Sequence, residues 1–239
     1  MNQKGSVVLI VGAGRGIGRG AAELFAVAGY DLVLAARTEN ELAELAFKIE
    51  RKSSVHTLVV TADVTNSAAV VRLVEEAVTR FGRIDTLIYA AGTGELKPFS
   101  ETSEAEFQRL VGVNVGGAFR VLKSVLPVME KQKSGRVVVL PGILGRVGMS
   151  QAAAYCASKF ALTGLVKALA LEYKRAGVRF SLLHLGGVNT SFWDSITMRV
   201  QREKMLTVEA AASAVFFAAT QEGDGVLGEL VLQPESHQL

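Results

Sequence analysis

The chain reads as one α/β domain: a doubly wound parallel sheet of about seven strands with helices on both faces. Three observations predict it. Short apolar, β-branched runs alternate with helical patterns from one end to the other, the order of repeated strand–helix–strand units with right-handed crossovers. The runs are apolar at consecutive positions, so both faces of each strand are expected to be covered. Of 239 residues, 49% are apolar and 21% charged, which suffices for the core of one large domain.

The first strand is predicted at 6–11, where an apolar run is broken by Gly12. A helix follows at 17–28, then a strand at 32–36 and a helix at 39–51. Strand 57–61 leads to helix 67–81, and strand 86–90 to a long helix at 103–130. Strand 136–140, helix 152–175, strand 178–184, helix 207–219 and strand 229–232 complete the alternation. No linker, low-complexity tract or internal repeat divides residues 1–239, which are expected to form a single domain.

Two places depart from plain alternation. Residues 191–206, with Phe192, Trp193, Met198 and Met205, stand between the sixth strand and the last helix. They are either core or a substrate lid, because ligands of open α/β sheets bind beyond the carboxyl ends of the strands. The two long helices are rich in apolar residues, which suit either deep core or an interface between copies of the chain.

Charge and composition narrow the function. A net charge of +3 without a stripe of Lys or Arg gives no support to a nucleic-acid or membrane-surface partner. Cys156 is the only cysteine, which excludes an intrachain disulfide and a thiolate cluster and suits a reducing, cytoplasmic location. His56, His184 and His237 show no ligand spacing, so no metal is expected. The first apolar run is too short for a signal peptide or a membrane span, and the run from 160 to 171 contains Lys167 and reads as a core helix.

After the first strand comes Gly12-Ala13-Gly14-Arg15-Gly16-Ile17-Gly18. Ile17 breaks the Gly-x-Gly-x-x-Gly spacing, and Gly12, Gly16 and Gly18 instead form Gly-x-x-x-Gly-x-Gly. Such a turn between strand and helix lets backbone approach a pyrophosphate, whose charge the exposed N–H groups favour. No Gly-Lys-Ser/Thr is present, so a dinucleotide is expected and not a nucleoside triphosphate. The second strand ends in Ala35-Ala36-Arg37-Thr38, with no acidic residue for ribose hydroxyls. A guanidinium at Arg37, with Arg15 inside the turn, predicts NADP(H) in preference to NAD(H); a solvated Arg37 is the other reading.

Tyr155 and Lys159 lie four residues apart, on one face of the helix predicted at 152–175. A free phenol has a pKa of about 10 and is a poor proton donor at neutral pH. A neighbouring ammonium is expected to lower that value toward the working range of acid–base catalysis.

Together these residues resemble the short-chain dehydrogenase/reductase family across essentially the whole chain. The resemblance implies a Rossmann-like fold and hydride transfer between a nicotinamide and a carbonyl or alcohol substrate. Tyr155 would be the proton donor, Lys159 its modulator and a ribose ligand, and Asn114 the holder of a proton-relay water. Asn114 also suits a helix kink. The resemblance further places Asp63-Val64 at the adenine, Ala90-Ala91-Gly92 at the end of the fourth strand, and Gly186, Val188 and Thr190 around the nicotinamide. Asp63 equally suits a helix N-cap. A homodimer or homotetramer is implied through helices 103–130 and 152–175.

The departures fall at the chemistry. Counting thirteen residues back from Tyr155, where the family has a catalytic Ser, gives Gly142. Tyr89 and Ala90 replace two Asn positions, and Leu185 replaces a Pro. Loss of one oxyanion donor costs about 10²–10³ in rate, so turnover is expected to be slow but present, and Gly142→Ser to raise it. Ser150, five residues before Tyr155, and a water beside Gly142 are the candidate substitutes. The alternative is an NADP(H)-binding protein with little catalysis, acting as a sensor or partner subunit.

Overall fold

The structure, a computed structural model, describes residues 5–223 and 225–235; His237 lies outside them. Consecutive apolar residues bury both faces of Val7–Val11 (β1) and Thr86–Tyr89 (β4), which pair at the centre of the sheet. Asp31–Ala36 (β2), Thr57–Thr61 (β3), Gly135–Val139 (β5), Val178–Leu185 (β6) and Glu229–Leu232 (β7) extend it. All seven strands are parallel, in the order β3-β2-β1-β4-β5-β6-β7. Val11 lies level with Ala35 of β2 and Tyr89 of β4, so three strands end along one rim.

Helices cover both faces. Gly16–Val27 (α1), Glu39–Glu50 (α2) and Val208–Ala219 (α7) pack on the side chains of Val8, Ile10, Leu32, Leu34 and Ile88. A methyl on Gly20 would lie 2.8 Å from Val208 Cγ1, so that glycine lets α1 and α7 pack closely. Ser67–Phe81 (α3), Gly117–Gln132 (α5) and Ala153–Glu172 (α6) cover Leu9, Leu87, Val137 and Val139 on the other face. Leu9 and Leu87 are wholly buried, and truncating either to Ala would cost about 2–5 kcal/mol.

The single helix predicted at 103–130 is interrupted. Glu104–Val111 (α4), opened by a capping box between Ser103 and Glu106, gives way to one π turn at Gly112–Gly116 before α5 begins. The cause is tertiary: Asn114, at the centre of that turn, is drawn into hydrogen bonds with residues outside the helix. Other boundaries shift by a residue or two, and α6 ends at Glu172 ahead of a 3₁₀ turn at Lys174–Ala176. By length and composition alone, Glu104–Gln132 and Ala153–Glu172 would suffice to cross a bilayer, with mean hydropathies of 1.2 and 1.3. Here Val121, Val125 and Met129 of the first and Leu162 and Val166 of the second are buried against the sheet.

Candidate active site

A cleft of ≈ 650 Å³ runs along the carboxyl rim of the sheet, where the strand order reverses between β1 and β4. The glycine turn forms its floor. Gly12 has φ +95°, and a methyl there would lie 2.7 Å from Ala91 N and 2.9 Å from Ala90 C, so the turn nests against the end of β4. A methyl on Gly18 would collide with the Gly12 carbonyl, so helix and turn also pack without a side chain between them. Arg15 is the N-cap of α1 but makes no side-chain cap, and no acidic residue occupies the first turn. The first N–H groups of α1 therefore keep their attraction for an anion, and the residues present fit a pyrophosphate.

Arg15 and Arg37 are both exposed on the wall of the cleft beyond the turn. Asp63, after β3, accepts hydrogen bonds from Thr65 N at 2.8 Å and Thr65 Oγ1 at 2.7 Å. Those bonds hold its carboxyl below the ordinary range, with a smaller contribution from Arg37. Asp63 is not the N-cap of α3; Asn66 is, accepting from Ala69 N at 3.1 Å. A carboxylate that sequence reading missed enters from α2: a methyl on Gly14 would lie 2.5 Å from Glu41 Oε2. The residues directly after β2 offer no carboxylate, and Glu41 lies one helical turn further on.

Tyr155 and Lys159 meet in the same cleft, from the first two turns of α6. Lys159 Nζ donates to the Leu140 carbonyl at 3.3 Å and lies 5.6 Å from the centre of the Tyr155 ring. Burial pushes the Tyr155 phenol up and the Lys159 ammonium down to about 8. This corrects the expectation of a lowered phenol. The ammonium bonds a carbonyl and not the phenol oxygen, and loss of water around the ring dominates.

Asn114 is fully buried behind the cleft wall. Its Oδ1 accepts from Thr93 N, and its Nδ2 donates to Thr93 O and Ser158 Oγ, all at 2.9 Å. Both amide hydrogens are thus committed to protein partners. The point a methyl on Gly92 would occupy is 3.2 Å from Asn114 Oδ1 and 3.3 Å from Lys159 Nζ. Both polar groups therefore press against the backbone of Gly92, where any side chain would crowd them.

Gly142 has φ +74° and ψ 175°, a combination in which essentially only glycine is stable. The nearest atom to a methyl there is Leu185 O at 3.6 Å, so backbone and not space resists a side chain. The fully buried His184 fixes the segment, donating from Nδ1 to the Gly142 carbonyl at 3.1 Å. The expected gain from Gly142→Ser therefore meets about 1–3 kcal/mol of strain. Ser150 does not substitute, being exposed and absent from the cleft lining. Thr93 and Arg109, which no motif marks, line the cleft, with Arg109 Nη1 donating to Thr93 Oγ1 at 3.2 Å.

Segment 191–206 holds two 3₁₀ turns, Ser191–Ser195 and Arg202–Lys204. Phe192 lies 5.9 Å from the Tyr155 ring and 5.3 Å from Trp193, centre to centre. A methyl on Gly94 would run into the Phe192 ring, so that glycine gives the ring its seat. Trp193 Nε1 donates to Val188 O at 2.9 Å, and Arg202 ties the segment down through Asn189 Oδ1, Asp194 Oδ1 and Thr190 O at 2.7–2.9 Å. Gly186, Val188 and Thr190 also line the cleft, with Thr190 Cγ2 3.3 Å from the methyl position of Gly16. Of the residues singled out for cofactor or chemistry, Asn114 stands behind the lining and Ser150 outside it; the others all line the cleft.

The family model described as short chain dehydrogenase matches residues 6–201. Sepiapterin reductase of Chlorobaculum tepidum is 31% identical over 96% of this chain and 96% of its own length. Among solved structures, an alcohol dehydrogenase from Thermococcus sibiricus complexed with 5-hydroxy-NADP superposes with a TM-score of 0.90 at 29% identity, covering 98% of both chains. A metagenomic short-chain oxidoreductase in complex with NADP gives 0.85 at 26% identity, over 98% of this chain and 99% of that one. With this sheet order, this cleft and these matches, the chain belongs to the short-chain dehydrogenase/reductase family of oxidoreductases.

Proposed function

We propose that the protein is an NADPH-dependent reductase of ketones or aldehydes, with Tyr155 as the proton donor. The observation that carries this reading is the pairing of Tyr155 and Lys159 in the cleft that also contains the glycine turn. When bound, the reduced nicotinamide supplies hydride to the carbonyl carbon.

The protein's own groups manage the proton. Burial keeps the Tyr155 phenol in its neutral form across physiological pH, the form a donor to a developing alkoxide needs. Lys159, at about 8, is mostly an ammonium at neutral pH and favours negative charge arising nearby. Asn114, which flanks the backbone of Gly92 together with Lys159, would hold the water that returns the proton. Phe192, Trp193, Leu96, Ile143 and Leu144 give the reacting end apolar walls that exclude bulk water, and segment 191–206 would close over the substrate. Arg37 and Arg15 favour a 2′-phosphate, in line with the NADP-type ligands of the two similar structures.

Exposed Phe107, Phe119 and Phe160 on α4, α5 and α6 support a homodimer or homotetramer, and a monomer by sedimentation at micromolar concentration would exclude it. A second reading, dinucleotide binding with little catalysis, is favoured by one observation: Gly142 brings no hydroxyl, and its backbone resists one. NADPH oxidation against a panel of ketones, aldehydes, quinones and 3-oxoacyl thioesters separates the two. Turnover of any member supports the reductase; tight NADPH binding with no turnover across the panel supports the second reading.

A further inference from the structure

The adenosine corner of the cleft holds charges of both signs. Arg15 and Arg37 line it from the glycine turn and the end of β2. Glu41, in the first turn of α2, brings its carboxylate over Gly14, with Oε2 2.5 Å and Ala36 Cβ 3.5 Å from the position a methyl on Gly14 would take. The carboxylate thus stands at the end of β2, where the sequence offers no acidic residue of its own. Glu44, one turn further along α2, is spent on Arg19 of α1 at 2.7 Å, whereas Glu41 forms no salt bridge among the described residues.

The two ligand chemistries differ at one ribose carbon. A 2′-hydroxyl donates a hydrogen bond, which a carboxylate accepts and a guanidinium cannot. A 2′-phosphate is an acceptor carrying close to two negative charges, which guanidinium groups attract and a carboxylate repels. We propose that Glu41 is a specificity-determining residue, reading the ribose 2′-hydroxyl and opposing the 2′-phosphate, so that the protein binds NADH as well as NADPH. The inference rests on the dinucleotide reading above and narrows it: Arg37 draws NADPH in, and Glu41 limits the preference.

The bland account is that Glu41 only complements the dipole of α2. Glu39 supplies the control, since it shares that first turn but is exposed and lies outside the cleft lining. The test is equilibrium binding of NADPH and of NADH, by fluorescence titration without substrate, to the wild type and to Glu41→Gln and Glu39→Gln, with thermal denaturation of each free protein to verify folding. For a partly solvated charge, Glu41→Gln is expected to tighten NADPH about five- to tenfold and weaken NADH about two- to fivefold, the NADPH gain shrinking at high salt. Glu39→Gln is expected to leave both within about twofold. Unchanged affinities in Glu41→Gln, or equal changes for both cofactors, would overturn the inference while leaving the reductase reading intact. A wild type that binds neither dinucleotide would overturn both.

Discussion

The phosphate end of the cleft and its reacting end are built from different material. At the glycine turn the working groups are backbone N–H groups, and the residues that matter do so by having no side chain, as Gly12 against Ala91 and Gly18 against Gly12 illustrate. At the reacting end the working groups are side chains, Tyr155, Lys159, Asn114 and Phe192, each held by residues distant in sequence. Backbone sites tolerate no added atom. Side-chain sites tolerate exchange of atoms but depend on burial and charge.

The sharpest way to break that contrast is Gly12→Ala. Its methyl would meet backbone at 2.7 Å from a φ of +95°, so dinucleotide binding should fall below detection and stability by ~3 kcal/mol or more. Gly148→Ala, with nothing within 4 Å of the added methyl, should leave both unchanged. Titration calorimetry and urea unfolding measure the pair, and similar behaviour of the two variants would refute the account of the turn.

Next in size is a pH effect at the other end. Burial lowers Lys159 to about 8, so between there and the ordinary lysine value the unfolded chain holds a proton that the folded chain has released. Unfolding free energy should therefore rise with pH across that window in the wild type relative to Lys159→Met. Carbonyl reduction should fall over the same range as the ammonium is lost. A stability difference between the two proteins that is flat from pH 7 to 10 would contradict the shift.

A smaller effect is expected at Gly142. Gly142→Ser should lose about 1–3 kcal/mol of stability and gain no rate, because the backbone there suits glycine alone. A rise in kcat without loss of stability would show that the segment relaxes. Smallest is Ser150→Ala, which should leave kcat/KM within about twofold, since the hydroxyl is exposed and outside the cleft.

What sequence made legible follows the same division. All seven strands and the helices that cover them could be read, because consecutive apolar residues such as Val137, Val138 and Val139 report burial on both faces. The glycine turn was legible for the same local reason. The π turn was legible only in part: Asn114 suits a helix kink bonded to backbone, but the helix pattern runs through without a break, and the contacts with Thr93 and Ser158 decide it. Nor was the raised Tyr155 phenol, since a four-residue step puts the ammonium on the same helix face but does not say how much water the fold removes. Glu41 escaped because its carboxylate reaches the cleft from the adjacent helix and not from the strand end.

Tyr155→Phe tests the central claim most directly, because it deletes one oxygen from a ring whose packing against Phe192 would remain. With the carbonyl the wild type reduces fastest, kcat should fall by ~10³ or more while the NADPH dissociation constant stays within about twofold. A variant that keeps more than about a tenth of wild-type kcat would show that the proton comes from elsewhere.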